Sequence, residues 1–176
     1  MPFLTHILRW ATTVVIFLPL LSAFAATPNT TLEAETILNK TAEELEIEIS
    51  LGQLAVQRAT NKEVKEFGRQ MVMEHEKVGQ QVEALALKQH VKLSPSPSHK
   101  NNQKLEELSQ LSGHAFDREY MNYSMQTHQT TAEEFQKLAG IVDDPEIKQW
   151  LALLVPILES HREKAQRVKY LLQTNP

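Results

Sequence analysis

Apolar residues recur in four long blocks of the chain, at spacings that alternate between three and four residues. In the last block, for example, the repeating positions are Ile147, Leu151, Leu154, Leu158, His161, Ala165, Val168 and Leu172. This spacing is typical of helices that pack side by side at a shallow angle. We therefore predict four long helices, each about 40 Å long, and one short helix between the second and third of them. The predicted ranges are 30–59, 62–90, 99–111, 114–141 and 145–172.

The connections between the blocks constrain how the four long helices are arranged. Asn61 and Asp144 are suited to cap the helices that follow them, and Pro145 fits the first position of a helix. Helices joined by such short turns must be antiparallel. The connection of about 23 residues after the second helix contains the Ser/Pro-rich segment 92–98, which cannot be helical, and is long enough to cross the whole bundle. The sequence thus predicts an all-α, ferritin-like four-helix bundle, with a long crossover carrying the short extra helix.

Residues 1–25 have the pattern of a secretory signal peptide. They contain one basic residue, Arg9, no acidic residue, and an apolar run from Trp10 to Leu21 followed by Ala23-Phe24-Ala25. Such a pattern predicts cleavage after Ala25, which leaves 26–176 as a single domain. The apolar run falls short of the roughly 20 residues that a transmembrane helix needs, and no later stretch comes close. We expect an exported protein of the periplasm or cell surface of a bacterium, without a transmembrane helix in the mature chain.

Charge and composition exclude several classes of function. The formal charge is −4, and removal of Arg9 with the leader leaves 17 basic and 22 acidic residues, or −5. An acidic surface argues against nucleic acid or anionic lipid as the main partner. The absence of cysteine excludes disulfides, thiolate metal sites and a cysteine nucleophile. The sequence also contains no phosphate-binding glycine loop and no hydrolase motif. Composition does not exclude a partner in the cell envelope or self-association.

Each apolar seam is interrupted by one residue able to bind a metal ion. These four residues are Glu48, His75, His128 and His161. Each lies within about three positions of the centre of its predicted helix, so all four fall within about 5 Å of one level of the bundle. Three imidazoles and a carboxylate suit one Zn, Cu, Fe or Mn ion. Tyr120, two turns before His128 on the same helix face, is either a hydroxyl that supports a ligand or an ordinary core aromatic.

Two other interpretations account for the same residues. The polar level could be a buried hydrogen-bond network of glutamate, histidine and tyrosine that fixes helix register in a structural or interaction module of the envelope. A metal-dependent redox enzyme would require the bundle to open at this level. In each case the buried Glu48 carboxyl group needs a partner. Other residues near the seams are expected to be solvated: His90, His99, His114, Glu74, Glu76 and Glu159.

Six segments resemble a known protein family when their order and spacing are taken together. They are Glu48–Ala55, Val64–Phe67, Met71–His75, Gly113–Met121, Thr127-His128 and Leu154–His161. The family is the bacterial exported domain of unknown function 4142, whose members are often labelled outer membrane proteins and assigned to the ferritin-like superfamily. The resemblance covers about 35–172, and it implies a ferritin-like bundle and supports the choice of Glu48, His75, Tyr120, His128 and His161. No established function comes with it. Where the family usually has Asp-His in the second helix, this chain has Glu74-His75.

The seams also differ from those of ferritin-like di-iron proteins. Those proteins use a glutamate from each of two helices and Glu-x-x-His from each of the others. Here the positions three residues before the seam histidines are Val72, Met125 and Leu158. Di-iron oxidase and iron-storage chemistry are therefore disfavoured. The expected function is non-enzymatic metal handling or envelope stress tolerance.

Overall fold

The computed structural model describes residues 28–94 and 99–174, and the predicted signal peptide lies outside these residues. The described part is helical and contains no strand. Its helices are α1 Pro28–Arg58, α2 Lys62–Lys88, α3 His99–Ser109, α4 Gly113–Ile141 and α5 Pro145–Thr174. Every predicted helix is present, with ends that differ from the predicted ends by at most two residues.

The caps predicted at Asn61 and Asp144 are confirmed. The Asn61 side chain accepts hydrogen bonds from the backbone N–H groups of Glu63 and Val64 at the start of α2. The Asp144 carboxylate accepts from the N–H groups of Glu146 and Ile147, at 2.9 and 2.8 Å. These side chains satisfy backbone donors that have no partner within the helix, and they fix where each helix begins.

The helices form two closely packed pairs, α1 with α2 and α4 with α5. Glycine residues allow the backbones of α1 and α2 to come into direct contact. A Cβ atom added to Gly68 on α2 would lie 2.8 Å from the Gly52 carbonyl oxygen on α1, so no larger residue fits without displacement. The second pair is joined by the tight connection 142–144.

Contacts between the two pairs give the direction of each helix. At one end, the Asp117 carboxylate near the start of α4 accepts hydrogen bonds from the N–H groups of Thr60 and Asn61, at 3.1 and 2.9 Å. At the other end, Lys88 on α2 pairs with Glu146 on α5 at 2.7 Å. The chain therefore leaves α2 at one end of the molecule and enters α4 at the opposite end. Helix α3 lies along this crossover and contacts α1 and α4.

Two apolar clusters fill the interior, one toward each end. The cluster near the α1–α2 turn includes Leu51, Val64, Phe67, Met71, Phe116, Tyr120, Met121 and Val168. The cluster near the α4–α5 turn includes Leu38, Leu45, Val82, Phe135, Ile147, Leu151 and Leu154. Between the two clusters, near the middle of the long helices, lie the buried polar residues Glu48, His75, His128 and His161, with Thr41 and Ser124 close by.

Some large apolar side chains reach the surface, among them Leu87, Ile141 and Leu153. No described helix, however, combines the length and the apolar character that crossing a membrane requires.

Candidate metal centre

His75, His128 and His161 come together between the two apolar clusters. They lie on α2, α4 and α5 and are each no more than 5% exposed. One ring nitrogen of each can be chosen so that all three nitrogens lie within 4.8 Å of one another. The ring centroids are 5.6 Å apart for His75 and His128, 5.7 Å for His75 and His161, and 5.1 Å for His128 and His161.

The helical repeat explains why these side chains converge. His128 lies seven residues after Met121 and seven before Phe135, and all three side chains are buried. Seven residues are close to two helical turns, so the histidine points in the same direction as its apolar neighbours. His161 stands in the same relation to Leu154 and Val168. Each imidazole thus occupies a core position that would otherwise hold an apolar side chain.

The hydrogen bond of His128 defines its tautomer. Its Nδ1 lies 2.7 Å from the Ser124 carbonyl oxygen, one turn earlier on α4. A carbonyl can only accept, so Nδ1 carries the hydrogen and donates. The Nε2 lone pair is then free, and this buried atom has no hydrogen-bond partner among the described residues. His128 therefore presents a nitrogen in the form that a metal ion requires.

His161 is held in the opposite tautomer by a carboxylate. Its Nε2 lies 2.5 Å from Glu74 Oε2 on α2, so Nε2 donates, and in the neutral ring Nδ1 is then the acceptor. The Nδ1 atom is buried and has no partner within the described part of the chain. A carboxylate behind a histidine is the arrangement that orients most metal-ligating histidines and makes them more basic.

Glu74 is itself supported by two further residues. The Gln70 amide donates to Glu74 Oε1 at 2.8 Å, and Lys164 Nζ donates to the side-chain oxygen Oε1 of Gln70. Partial burial works to raise the pKa of Glu74, but hydrogen bonds from His161 and Gln70 and the charges of His161 and Lys164 outweigh it and lower the pKa. The prediction that Glu74 faces solvent is wrong. The side chain is half-buried and faces α5, a direction that the spacing of apolar residues on α2 did not indicate.

His75 and His128 remain neutral at physiological pH. Burial, and secondarily the neighbouring histidines, lower the pKa of His75 to about 3. Burial and the proximity of His161 lower the pKa of His128 to about 4. His75 Nδ1 is a further buried nitrogen without a partner in the described chain. Neutral imidazole is the form that binds metal, so no proton has to leave either ring first.

Glu48, on α1, lines a small cavity together with the three histidines. Its side chain is 5% exposed, and neither carboxyl oxygen has a hydrogen-bond partner among the residues described. Burial, followed by the charge of Glu44, raises the pKa of Glu48 to about 8. The partner expected for Glu48 is thus not supplied by hydrogen bonding within the described chain. Glu48 is also not a member of the group of three nitrogens within 4.8 Å.

The four side chains line a cavity of about 50 Å³, together with apolar side chains such as Leu45, Phe135 and Leu154. Since a water molecule occupies about 30 Å³ in the liquid, the cavity has room for one or two groups of that size. Tetrahedral zinc with Zn–N distances of about 2 Å requires nitrogens about 3.3 Å apart. Three nitrogens within 4.8 Å approach this arrangement, and each would move by less than about 1 Å to reach it. The residues therefore fit a single transition-metal ion.

Tyr120 lies outside this cavity. Its ring is fully buried, stacks on Phe116 with centroids 5.6 Å apart, and meets the edge of Phe67 at 6.0 Å. Burial, followed by the charge of Glu48, raises the pKa of Tyr120, and the nearby Ser124 hydroxyl partly offsets this rise. Tyr120 acts as a core aromatic here, and it forms no hydrogen bond to Glu48 or to a histidine.

The remaining polar residues near the seams do not contribute to the cluster. His90, His114, Glu76 and Glu159 are exposed, as expected. The side chain of His99 lies outside the described residues. Among the described histidines, the buried ones are therefore His75, His128 and His161.

Comparison with known proteins identifies the family. No curated protein and no solved structure matches the chain. One family model, described as a domain of unknown function (DUF4142), matches residues 20–168. This match covers most of the chain, including Glu48 and the three buried histidines. The chain therefore belongs to the family described as domain of unknown function (DUF4142).

Proposed function

We propose that this protein binds one transition-metal ion through His75, His128 and His161, with Glu48 as the fourth ligand. In this proposal the protein is not an enzyme and serves metal handling or stress tolerance in the periplasm or at the cell surface. The chain forms a ferritin-like four-helix bundle whose long crossover carries α3. The signal-peptide pattern of residues 1–25 supports export, and the opposite ends at which α2 stops and α4 starts support this bundle type.

The observation that carries the proposal is the set of buried nitrogens that lack a partner. His128 Nε2, His161 Nδ1 and His75 Nδ1 have no hydrogen-bond partner among the described residues. Leaving a buried polar atom unpaired costs about 1 to 3 kcal/mol, so three at one level would destabilise the fold. A purely structural network would pair these atoms with one another or with Glu48 and Tyr120, and those hydrogen bonds are not formed. A cation bound between the three rings would bind one nitrogen of each.

The ligand types favour Zn or Cu over Fe or Mn. Imidazole nitrogen suits Zn and Cu, whereas Mn prefers oxygen, and affinity for such sites rises toward Cu along the first transition row. A tetrahedral site with three histidines and one carboxylate is compatible with Zn²⁺. The absence of cysteine means that nitrogen and oxygen are the only strong ligand atoms, apart from the softer methionine sulfur. When bound, the ion would act as a structural cation or transported cargo.

The test is the metal content of the full chain purified without an affinity tag, measured together with its affinity for added Zn²⁺. We expect one ion per chain, and we expect His128→Ala to weaken binding by more than about a hundredfold, since changes behind the ligands already cost 10- to 100-fold. His114→Ala is the matched control, because His114 is exposed. Negligible metal in the unmodified chain and in both variants would reject the proposal.

Thermal stability provides an independent readout. Zn²⁺ at about 100 times Kd adds roughly 3 kcal/mol to a protein that binds it only when folded, or roughly 5 to 10 °C in Tm for a domain of this size. A Tm unaffected by Zn²⁺, Cu²⁺ and chelator would favour the structural-module interpretation of the polar level.

A further inference from the structure

A groove on the surface lies directly outside the histidine cavity. We call it the α1–α4 groove; it has a volume of about 330 Å³ and is lined by residues of α1, α3 and α4. Four of its lining residues also line the cavity, namely Glu44, Glu48, Thr127 and Thr131. A single layer of side chains thus separates the two spaces.

The lining of the groove is rich in oxygen atoms and contains one ammonium group, that of Lys104. Oxygen atoms come from the carboxyl groups of Glu44, Glu48, Glu119 and Glu134 and from the hydroxyls of Thr127, Thr130 and Thr131. Two of these carboxyl groups are in ion pairs, one of them with the lining residue Lys104. Lys40 on α1 pairs with Glu134 on α4, and Lys104 on α3 lies 3.7 Å from Glu119 on α4.

Glu48 is the residue that connects the groove to the histidines. It is more than nine-tenths buried, it borders both spaces, and neither of its carboxyl oxygens has a hydrogen-bond partner in the described chain. An unpaired buried carboxyl group is costly in an apolar interior. Its position suits a group that exchanges partners with a passing cation.

The opposite side of the cavity is mainly apolar. Toward α2 and α5 it is lined by Val78, Leu154, Ile157 and Leu158, and the hydrogen bond between Glu74 and His161 joins the two helices there. Apolar side chains offer no replacement for the hydration shell of a cation. A route through this side would also require the bond between Glu74 and His161 to open.

We propose that a divalent cation reaches the three histidines through the α1–α4 groove, passing Glu44 and Glu48. This inference rests on the proposed function, because it concerns access to the same metal centre. The groove strips water from the cation in steps, first against threonine and glutamate oxygens and then against Glu48, before the imidazoles bind it.

The experiment compares rates with affinity, using Zn²⁺ and the full chain. Thr130→Trp places a bulky side chain in the groove, since Thr130 is exposed and lines the groove but not the cavity. We expect the rate constants for Zn²⁺ binding and release each to fall about tenfold, with Kd, their ratio, unchanged within about twofold. Binding is followed by stopped-flow competition with a chromophoric chelator, and release by a chase with excess EDTA.

Two matched variants make the result specific. Gln129→Trp places the same side chain on the next residue of α4, which is exposed and lies outside the groove, and it should leave both rate constants unchanged. Ile157→Trp adds bulk on the α2–α5 side of the cavity. Gln126→Trp, a second exposed groove position, replaces Thr130→Trp if that variant does not fold.

The possible outcomes separate the two proposals. Slower binding and release in the groove variants alone, at unchanged Kd, supports the route. Unchanged rates in the groove variants, or slowing by Ile157→Trp alone, overturns the route while the metal centre stands. If the unmodified chain does not bind Zn²⁺, the proposed function fails and this inference fails with it.

Discussion

Glu74 Oε2 on α2 lies 2.5 Å from His161 Nε2 on α5, so that a residue next to one buried histidine orients another. Glu74 precedes His75 in sequence, yet its side chain acts on the partner helix. This contact fixes which nitrogen of His161 faces the cavity, and it links the two helix pairs at the level of the candidate metal centre.

Replacement of Glu74 tests this orienting role. We expect Glu74→Gln to weaken Zn²⁺ binding about 10- to 100-fold, because a neutral amide orients the His161 ring less strongly than a carboxylate does. The exposed Glu76 provides the control, and Glu76→Gln should bind as the unmodified chain does. The measurement is competition with a chelator of known affinity. Equal affinities for the two variants would show that Glu74 does not support a ligand.

Metal binding should release a proton from Glu48. The pKa of Glu48 is about 8, so the carboxyl group is mostly protonated at pH 7 and must lose its proton to bind a cation. We expect release of about one proton per Zn²⁺ at pH 7 from the unmodified chain, and almost none from Glu48→Gln. Calorimetry in buffers with different ionisation enthalpies measures this number. The same proton release from both proteins would exclude Glu48 as a ligand.

The metal-free chain should be most stable near pH 6.5. Below the ordinary histidine pKa of 6.5, the unfolded chain binds protons that His75 and His128 cannot bind in the folded state, because their folded pKa values are about 3 and 4. Stability from these two groups is present above pH 6.5 and is lost as pH falls toward 4. Glu48 has the opposite effect: its pKa is raised from 4.5 to about 8, so its contribution is lost as pH rises from 4.5 to 8.

Urea unfolding in the presence of chelator measures this dependence. Above pH 6.5 only Glu48 acts among these three groups, and its effect is roughly 1 kcal/mol per pH unit. We expect Glu48→Gln to remove the decline between pH 6.5 and 8 and to leave the decline at acid pH. A decline above pH 6.5 that persists in this variant would contradict the raised pKa of Glu48.

The contact between α1 and α2 should tolerate no added atom at Gly68. A Cβ there would lie 2.8 Å from both the Gly52 oxygen and the Ala55 Cβ, so we expect Gly68→Ala to destabilise the fold by about 1 to 3 kcal/mol. Gly79 on the same helix has nothing within 4 Å of an added Cβ. Gly79→Ala should therefore stabilise the chain by about 0.5 to 1 kcal/mol. Chemical denaturation compares the two, and equal effects would contradict the close approach of α1 and α2.

The sequence predicted the helices because long, regular apolar spacing is the strongest local signal of secondary structure. It also located His75, His128 and His161, since a polar residue in an apolar seam is conspicuous. Their common level followed from helix length, because each histidine lies near the middle of its helix, and their common direction followed from the helical repeat. The helix caps at Asn61 and Asp144 were equally local and equally predictable.

Other parts of the site depend on which helices are neighbours. The spacing of apolar residues along each helix does not specify this. Glu74 lies at the border of the seam on α2, where a side chain reaches solvent or a neighbour according to how closely α5 approaches. Glu48 is in the seam, yet the lack of a hydrogen-bond partner for its oxygens depends on the positions of four different helices. Tyr120 shares a face with His128, but two turns along the helix place it among Phe67 and Phe116.

The four proposed ligands are divided equally between the two helix pairs. Glu48 and His75 belong to the α1–α2 pair, and His128 and His161 belong to the α4–α5 pair. Each pair is local in sequence and can form early in folding, whereas the four side chains meet only when the pairs dock. A cation bound to them would act as a removable cross-link between the two halves of the chain. Its main effect on folding kinetics would be to slow the separation of the docked pairs, with little effect on the formation of either pair.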